Sequence, residues 1–562
     1  MLILLSPMVI FFTMIMTSLM SAFLMTSTPL IILEWKISSL YFSPFYFSIL
    51  LDSYGMIFIS VILFISYNIL VFSKHYMLNE LFLSRFTKLI FLFITSMCLL
   101  VIFPNLIILL LGWDGLGMSS FLLIIFYQNS SSLAAGMITS LINRLGDILL
   151  IFSVVILTNL GQWMALNLWS FSLSSLLAWS LLVAGMTKSA QMPFSSWLPA
   201  AMEAPTPVSA LVHSSTLVTA GIFLLFRFYP LLSQFSSLTK TLMLFSSLTM
   251  LMASMSASVQ FDMKKIIALS TLSQLGLMMF SLSVMSPMFT FFHLITHAMF
   301  KALLFLCAGT IIFYMNHSQD TRLISNLTKT MPITSSCLLV ATLALCGIPF
   351  LAGFFSKDLI LEESFMSPLN FYIYIIILAS TGLTTTYSLR MLIAILWSPQ
   401  LFFPFKNTSN SVLAFIIPML TMSFFSIIMG SLMNWLIIPP LAYSTPPMLK
   451  LMVPLMILTG AILPFFTNTL IKIGFPLTIP SLYFYSSMWL LSPLVSQTLI
   501  KHSIFKPNLL FKYNETSWLE TFINKTSFFS PLSSLTFLVQ LPNLNKSMML
   551  VTLIALPLIF FY

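Results

Sequence analysis

Charged residues are what this chain of 562 residues has least of. Only 6% of its positions are Asp, Glu, Lys or Arg, against about 25% in an ordinary soluble domain, while 59% are hydrophobic. So few charges cannot cover the surface of a protein of this length in water. The composition therefore excludes a soluble globular protein, and it predicts that a lipid bilayer surrounds the chain.

The few basic residues are also not clustered. Lys and Arg number 23 against 13 Asp and Glu, which gives a net charge of +10, but Lys264-Lys265 is the only adjacent pair. A surface that follows a nucleic-acid backbone needs a basic patch, so we exclude nucleic acid as a partner. We expect the scattered charges to contact lipid head groups and to orient the loops across the membrane.

Cysteine is nearly absent. The four cysteines, Cys98, Cys307, Cys337 and Cys346, lie inside apolar runs and show no C-x-x-C spacing. A disulfide framework or an iron–sulfur cluster needs cysteines at close, regular spacing. We therefore interpret all four as small buried hydrophobic residues.

Long apolar runs dominate what is present. Residues 89–103, 148–159 and 371–380 are apolar on every face, whereas the strands of a membrane barrel alternate polar and apolar residues. A spanning helix needs about 20 apolar residues, so the length accommodates about 14 to 16 spans. The sequence predicts an all-α polytopic membrane protein whose first span begins at the apolar N-terminus.

The character of the chain changes near its C-terminus. Between residues 501 and 546 charges become frequent, and Phe511, Trp518 and Phe522 recur at spacings of seven and four. This pattern predicts an amphipathic helix at the membrane surface rather than a span. An ordinary polar loop remains the alternative, because Pro531 and Pro542 interrupt the pattern. Residues 547–562 form a predicted terminal membrane anchor.

Ionisable groups inside apolar runs are costly in a membrane and usually functional. Asp114 lies in GWDGLG, where the glycines favour close helix packing, because no strand precedes them as a dinucleotide fingerprint would require. Asp147 follows Arg144 by three residues on one helical face. An intrahelical ion pair and a functional role are both open for Asp147.

The stretch GMTKSAQMPFSSWLP places Lys188 deep in an apolar run, immediately before several prolines around Glu203. Prolines at this density break a helix, and broken backbone at membrane depth is tolerated where it lines a cavity or is buried in protein. Burial disfavours the charged form of a lysine, so Lys188 is a candidate proton carrier. The prolines are Pro193, Pro199, Pro205 and Pro207.

His213 is the next candidate. A lone histidine is usually a satisfied core residue, but hydroxyl side chains that can hold water flank this one, and Lys188 is near in sequence. We therefore interpret His213 as a proton carrier. The flanking hydroxyls are Ser209, Ser214, Ser215, Thr216 and Thr219.

The stretch FFHLITHAMFKALLF carries the strongest pattern. His293, His297 and Lys301 are spaced four residues apart, which places them on one helical stripe about 12 Å long. A row of titratable groups inside a membrane helix is what a proton relay requires. The rival interpretation is a metal site at H-x-x-x-H, but the glutamate of a zincin motif is absent, and we predict no metal.

A second proline break precedes Lys357 and Asp358 in CGIPFLAGFFSKDLILEES. The breaks at Pro193-Phe194 and Pro349-Phe350 are candidates for equivalent positions in two related helix bundles. Lys188 precedes the first break, whereas Lys357 follows the second. This order is what an inverted repeat produces. A helix-end pair that faces the head groups remains the alternative for Lys357 and Asp358.

These motifs, taken in order, resemble a known family. GWDGLGMSSF, NRLGD, the stretch from Lys188 to Gly221, HLITHAMFKALLF and FSKDLILE are similar to the chain 5 family of mitochondrial NADH:ubiquinone oxidoreductase, respiratory complex I. That family is similar in turn to the large subunits of Mrp-type cation/proton antiporters. The resemblance covers residues 50–400 most strongly and implies two inverted five-helix repeats with broken helices.

The resemblance also implies roles for the candidate residues. Asp114 would be the channel acid paired with Lys188, His213 would connect toward a central Lys301, and Lys357 would lie at the outlet. Proton translocation would be coupled to electron transfer from NADH to ubiquinone in partner subunits, which would hold the NADH, FMN, iron–sulfur and ubiquinone sites. The supporting groups would be Asp147, Glu203, His293, His297 and Asp358.

The implied location is the mitochondrial inner membrane, beside adjacent antiporter-like subunits and accessory subunits. An Mrp-type Na⁺/H⁺ or K⁺/H⁺ antiporter subunit is the alternative, and a structural scaffold is disfavoured because it has no use for a stripe of titratable groups. The predicted division is 1–103 N-terminal spans, 104–230 and 231–400 two antiporter-like halves, 401–500 C-terminal spans, 501–546 lateral helix, and 547–562 anchor.

Overall fold

The fold was obtained as a computed structural model of the chain. The structure describes residues 2–26, 30–40, 43–160, 173–367, 370–398, 412–438, 446–472, 479–494, 507 and 509–512. By their contacts, residues 1–492 and 493–562 form two separate compact units. The predicted lateral helix and terminal anchor lie outside the described residues, apart from 507 and 509–512.

The first unit is built almost wholly of α-helices, which confirms the predicted fold class. Its uniformly apolar segments satisfy their backbone hydrogen bonds internally, as a bilayer requires. The helices are α1 Leu2–Thr26, α2 Ser53–Tyr76, α3 Leu83–Ile102, α4 Leu106–Ile124, α5 Ser130–Asn159, α6 Ser174–Lys188, α7 Trp197–Ala200, α8 Thr206–Val208, α9 Leu217–Arg227, α10 Tyr229–Leu232, α11 Ser236–Val259, α12 Met263–Ser283, α13 Pro287–Tyr314, α14 Leu327–Thr330, α15 Pro332–Cys346, α16 Ala352–Met366, α17 Phe371–Leu392, α18 Leu413–Ile437, α19 Pro447–Lys472, α20 Ile479–Ser486 and α21 Leu491–Pro493.

Eleven helical segments in the described ranges are long and apolar enough to cross a membrane. Two shorter apolar helices, Pro332–Cys346 and Lys450–Phe465, add to them. The expected number of 14 to 16 spans refers to the whole chain, so it stays a prediction.

One element was not expected from the sequence. Residues Leu30–Leu40 (β1) and Ser43–Asp52 (β2) pair as an antiparallel hairpin, within the region predicted to hold only spans. The register shifts between Lys36 and Ser38. The hairpin leads directly into α2, whose N-cap is Asp52, and the amide of Asn105 donates to the carbonyl of Tyr46 at 3.2 Å.

The centre of the first unit is α13, which is buried along almost its whole length. It packs against α2, α12, α15, α16 and α18, while α1 and α5 keep one apolar face exposed. Aromatic pairs fill the inner contacts, such as Phe58 stacked on Phe223 with ring centroids 5.0 Å apart. A helix enclosed on all sides by other helices can carry polar groups away from lipid, and α13 carries His293, His297 and Lys301.

Two interruptions of regular helix flank this centre. After α6 the chain forms only short turns, Phe194–Ser196, Trp197–Ala200 and Ala201–Glu203, before a π-helical segment, Ser209–Thr216. The second interruption lies between α15 and α16, where Gly347 has φ +86° and Phe350 has φ +71°. Both breaks lie where prolines predict them, but their relation by an inverted repeat stays a prediction.

Candidate functional site

Lys188 is the last residue of α6, directly before the first break. Its side chain is fully buried, and the turn after it is held by close contact with α9. A Cβ on Gly221 would lie 2.6 Å from the carbonyl oxygen of Gly185 and 3.3 Å from the Cβ of Lys188. Only glycine lets α9 approach this closely, so Gly221 fixes the position of the Lys188 turn.

The Lys188 ammonium contacts Trp113 rather than a carboxylate. Its Nζ donates to the carbonyl oxygen of Trp113 at 2.7 Å and lies 3.9 Å from the centre of the indole ring. Among the described ion pairs none joins Lys188 to Asp114, the partner that the family resemblance implies.

Trp113 also reaches the acidic groups. Its indole Nε1 donates to Oδ1 of Asp147 at 2.9 Å, so one side chain contacts both the lysine and an acid. Arg144 lies 3.2 Å from Asp147 and 3.9 Å from Asp114, which shows the i,i+3 contact that the sequence indicates. Trp113 is not among the predicted site residues, although its position beside Asp114 in GWDGLG was a usable signal.

His213 lies in the π-helical segment and is 1% exposed. Neither ring nitrogen has a hydrogen-bond partner in the described part of the chain, and its ring lies 6.1 Å from that of Trp197, edge to face. The flanking hydroxyls donate to backbone carbonyls of their own segment instead of contacting the imidazole. Three other buried hydroxyls at the break have no partner among the described residues: Ser195, Ser196 and Thr206.

The three groups of the α13 stripe are all buried, but they do not contact one another directly. Lys301 Nζ donates to Ser270 Oγ at 2.5 Å. The rings of His293 and His297 lie 6.1 Å apart, and His297 has no hydrogen-bond partner within the described ranges. His293 instead contacts two other elements, with Nδ1 2.8 Å from Ser356 Oγ and Nε2 3.2 Å from Gln274 Oε1.

Lys357, on α16, is buried beside the second break and donates to Thr384 Oγ1 at 3.0 Å. Asp358, the next residue, is partly exposed, and one of its carboxylate oxygens is buried without a described partner. His293 contacts Ser356, the residue directly before Lys357, and Lys301 follows His293 by about two turns on α13. The structure therefore brings Lys301, His293 and Lys357 into one group across α13 and α16.

Glu203 and Lys264 lie together at the end of the first break. Glu203 is exposed, whereas Lys264 is 5% exposed and donates from Nζ to the carbonyl oxygen of Ala204 at 3.1 Å. In the sequence, Lys264 stands out only as the neighbour of Lys265. The residues around the pair do not indicate that Lys264 is buried and that Lys265 is partly exposed.

The four cysteines belong to no disulfide and to no metal site among the described residues. All four cysteines are free; Cys307, Cys337 and Cys346 are buried as predicted, whereas Cys98 is partly exposed. Cys346 contacts the Ser388 hydroxyl at 3.0 Å. The described residues contain no cluster of three or more His, Cys, Asp or Glu side chains that could hold a metal ion.

Comparisons with known proteins agree with this architecture. Residues 104–384 match the NADH:quinone oxidoreductase/Mrp antiporter, TM family, and residues 387–562 match the NADH dehydrogenase subunit 5 C-terminus family. The Mrp complex from Dietzia sp. has a similar structure, with a TM-score of 0.73 and 20% identity over 99% of this chain. This chain spans 61% of that chain's length, and the likeness concerns the fold alone.

Sequence relatives are more specific. NADH-ubiquinone oxidoreductase chain 5 of Lumbricus terrestris is 48% identical over 500 residues, which cover 87% of this chain and 86% of the relative. The protein of the same name from Anopheles gambiae is 42% identical over 511 residues, covering 88% and 87% respectively. The chain therefore belongs to the NADH-ubiquinone oxidoreductase chain 5 family.

Proposed function

We propose that this chain carries protons across the mitochondrial inner membrane as a membrane-arm subunit of NADH:ubiquinone oxidoreductase. One observation carries the proposal: Lys188, Lys301 and Lys357 are each at most 1% exposed, and none belongs to an ion pair in the described part of the chain. Each donates to a neutral oxygen instead. An ammonium without a carboxylate partner is costly at this depth, whereas a neutral amine is not, so these lysines are suited to exchange protons.

The energy required is within reach of the groups present. Moving one charge against 150 to 200 mV costs about 3.5 to 4.6 kcal/mol, which corresponds to a pKa change of about 2.5 to 3.4. Bringing a carboxylate toward a buried lysine, or removing it, produces changes of this size. Asp147 can act in this way on Lys188, because Trp113 contacts both.

This chemistry needs no redox cofactor in this chain. We assign the NADH, FMN, iron–sulfur and ubiquinone sites to partner subunits, and electron transfer there would drive the charge movement here. His213 joins the path on this proposal, because its buried ring nitrogens, together with Ser195, Ser196 and Thr206, require hydrogen-bond partners that water can supply.

A neighbouring subunit is proposed to cover α4 and α5. Arg144 is 53% exposed and Asp114 34% exposed on these membrane helices, beside exposed apolar residues such as Leu111 and Ile148. Hydrocarbon cannot solvate a guanidinium group, so a lipid-facing position would be costly. A polar surface of an adjacent antiporter-like subunit would supply hydrogen-bond partners for Arg144 and Asp114. Through these contacts the two charges would interact with the rest of the complex.

The test replaces Lys301 in the whole complex. We expect Lys301→Ala to assemble normally and to reduce proton pumping by about 100-fold or more, the effect that a positioned proton-transfer group contributes. Pumping is measured in proteoliposomes as acidification driven by NADH oxidation. Lys265→Ala is the matched control, because the Lys265 side chain is 42% exposed and pairs with Asp262, whose side chain is 36% exposed.

Two outcomes would count against the proposal. An assembled Lys301→Ala complex that pumps as many protons per NADH as the unmodified one would remove Lys301 from the path. A purified native complex without flavin or iron–sulfur partners, which exchanges Na⁺ or K⁺ for protons, would favour the antiporter alternative.

A further inference from the structure

The imidazole ring of His293, on α13, contacts two neighbouring helices. Its Nδ1 lies 2.8 Å from Ser356 Oγ on α16, and its Nε2 lies 3.2 Å from Gln274 Oε1 on α12. All three residues are at most 1% exposed, so water does not compete freely for these contacts. The two nitrogens of the ring therefore have different partners, a hydroxyl on one side and an amide on the other.

The amide of Gln274 faces the ring with its oxygen. An amide oxygen carries no hydrogen and can only accept, so Nε2 of His293 must donate to it. A neutral imidazole has a single N–H hydrogen, and the contact with Gln274 places that hydrogen on Nε2. The free electron pair of the neutral ring then lies on Nδ1, the nitrogen that faces Ser356.

Ser356 can satisfy Nδ1 in both protonation states, because a hydroxyl both donates and accepts. While the ring is neutral, the Ser356 hydroxyl donates to Nδ1. When Nδ1 has gained a proton, it donates to Ser356 Oγ instead, and the Ser356 hydroxyl turns to Thr296 Oγ1, 3.0 Å away. Thr296 donates throughout to the backbone carbonyl of His293 at 3.1 Å. Every hydrogen of this group thus has an acceptor before and after protonation.

The two sides of His293 therefore differ in function. The amide of a glutamine does not ionise, so no proton passes between His293 and α12 through Gln274. On the opposite side, Lys357 directly follows Ser356 in the chain. The position at which the ring can gain or lose a proton faces α16 and the second break.

We propose that Gln274 is a positioning residue, which holds the hydrogen of neutral His293 on Nε2 so that the ring takes up and releases its proton at Nδ1, beside Ser356. The inference rests on the proposed function. In the uptake step, a proton that arrives on the α16 side binds the electron pair of Nδ1, and the ring becomes an imidazolium. Release reverses this step and leaves the same neutral form of the ring.

The test replaces Gln274 in the whole complex. Leucine offers no acceptor, so the imidazolium would keep one buried N–H without a partner. An unsatisfied donor on a charged ring destabilises the protonated form, and we expect Gln274→Leu to assemble and to pump about tenfold fewer protons per NADH. Gln260→Leu is the matched control, because Gln260 is partly exposed at the end of α11 and donates to the backbone carbonyl of Ser486. This control is expected to pump normally.

Gln274→Glu distinguishes positioning from packing. A glutamic acid side chain has the size of glutamine and keeps an oxygen that accepts from Nε2, whether or not the carboxyl group is ionised. We expect Gln274→Glu to recover most of the pumping that Gln274→Leu loses. Equal losses in the two variants would overturn the proposal, because they would show that the amide NH2 group or the packing of the side chain is required, and not its oxygen.

A second comparison removes the ring itself. Without an imidazole at position 293 there is nothing for Gln274 to orient, so Gln274→Leu is expected to cause no further loss in a His293→Leu complex. A further loss as large as in the unmodified complex would assign Gln274 to helix packing and would overturn the positioning role. If His293→Leu pumps too little for this comparison, the difference between Gln274→Glu and Gln274→Leu decides. If Gln274→Leu does not assemble, Gln274→Met takes its place, because its unbranched side chain ends in a sulfur that accepts only weakly.

Lys301→Ala, measured in parallel, separates the two proposals. Normal pumping in Lys301→Ala would overturn the proposed function itself. Loss of pumping in Lys301→Ala together with normal pumping in assembled Gln274→Leu would overturn the positioning role of Gln274 alone. Loss in both variants, with recovery in Gln274→Glu, is the result that the positioning role predicts.

Discussion

Gly353→Ala is expected to prevent assembly of the complex. A Cβ at this position would lie 1.8 Å from the carbonyl oxygen of Ala344 and 2.9 Å from its carbonyl carbon. These are backbone atoms of α15, so no side chain can turn away to make room. Overpacking a core costs about 1 to 3 kcal/mol, and a backbone clash this close is expected to cost about 3 kcal/mol or more.

The consequence reaches the functional group, because Ser356 and Lys357 follow Gly353 by one turn of α16. Separation of α15 and α16 would move both side chains away from His293 and Thr384. The measurement is the amount of assembled complex on a native gel, with NADH-driven pumping of any complex that forms.

Gly382→Ala is the control for this substitution. Its added methyl group would meet only Met456, whose nearest atoms lie 3.5 Å away, an ordinary van der Waals contact. Gly382 lies in the middle of α17, where alanine is favoured over glycine by about 1 kcal/mol, whereas Gly353 is the second residue of α16. A Gly353→Ala complex as abundant as Gly382→Ala would show that α15 and α16 are not in close contact.

Local spacing explains why much of the fold and part of the site could be predicted. The apolar runs predict helices wherever every face can be buried, and the interval of four residues places His293, His297 and Lys301 on one stripe of α13. Prolines mark the break after Lys188 because they remove backbone donors. Apolar runs, residue spacing and prolines are properties of short segments, so they can be recognised in a single sequence.

Partners across helices could not be predicted in the same way. The resemblance implies that Asp114 pairs with Lys188, whereas Lys188 contacts Trp113, one residue earlier. A neighbouring residue on a helix points about 100° away, so spacing along the chain does not decide whether Trp113 or Asp114 faces the lysine. The contact between the hydroxyls of Ser273 and Tyr387, 3.2 Å apart, was not predicted either, because 114 residues separate the two and no local pattern relates them.

The hairpin of β1 and β2 was missed for a related reason. Its strands contain short apolar stretches, LIIL and SILL, and composition alone does not distinguish a short apolar strand from part of a helix. The hairpin is stabilised by the pairing of β1 with β2 and by the hydrogen bond from Asn105 to Tyr46. Both depend on tertiary structure.

Arg227→Met is expected to destabilise the complex far more than Lys265→Met, although each removes one cation from an ion pair with an N–O distance of 2.7 Å. The side chains of Arg227 and Asp52 are 12% and 7% exposed, whereas those of Lys265 and Asp262 are 42% and 36% exposed. Loss of one partner from a buried pair costs about 3 to 5 kcal/mol, because a charge remains buried without compensation. An exposed pair contributes about 0 to 1 kcal/mol.

The buried pair joins two parts of the site. Arg227 ends α9, the helix that continues from His213, and it holds Asp52 at the start of α2 through a second hydrogen bond of 2.9 Å. Asp52 also accepts from the backbone nitrogen of Gly55 as the N-cap of α2. Removal of the arginine therefore frees one end of the His213 segment and leaves the cap with an unpaired charge.

Heat inactivation of the assembled complex measures the difference. Arg227→Met is expected to lower the inactivation temperature clearly, while Lys265→Met leaves it close to that of the unmodified complex. Adding Asp52→Asn to Arg227→Met is expected to restore most of the loss, because asparagine keeps an oxygen for the N-cap and removes the buried charge. Equal inactivation temperatures for the two single variants would show that burial does not set the strength of these ion pairs.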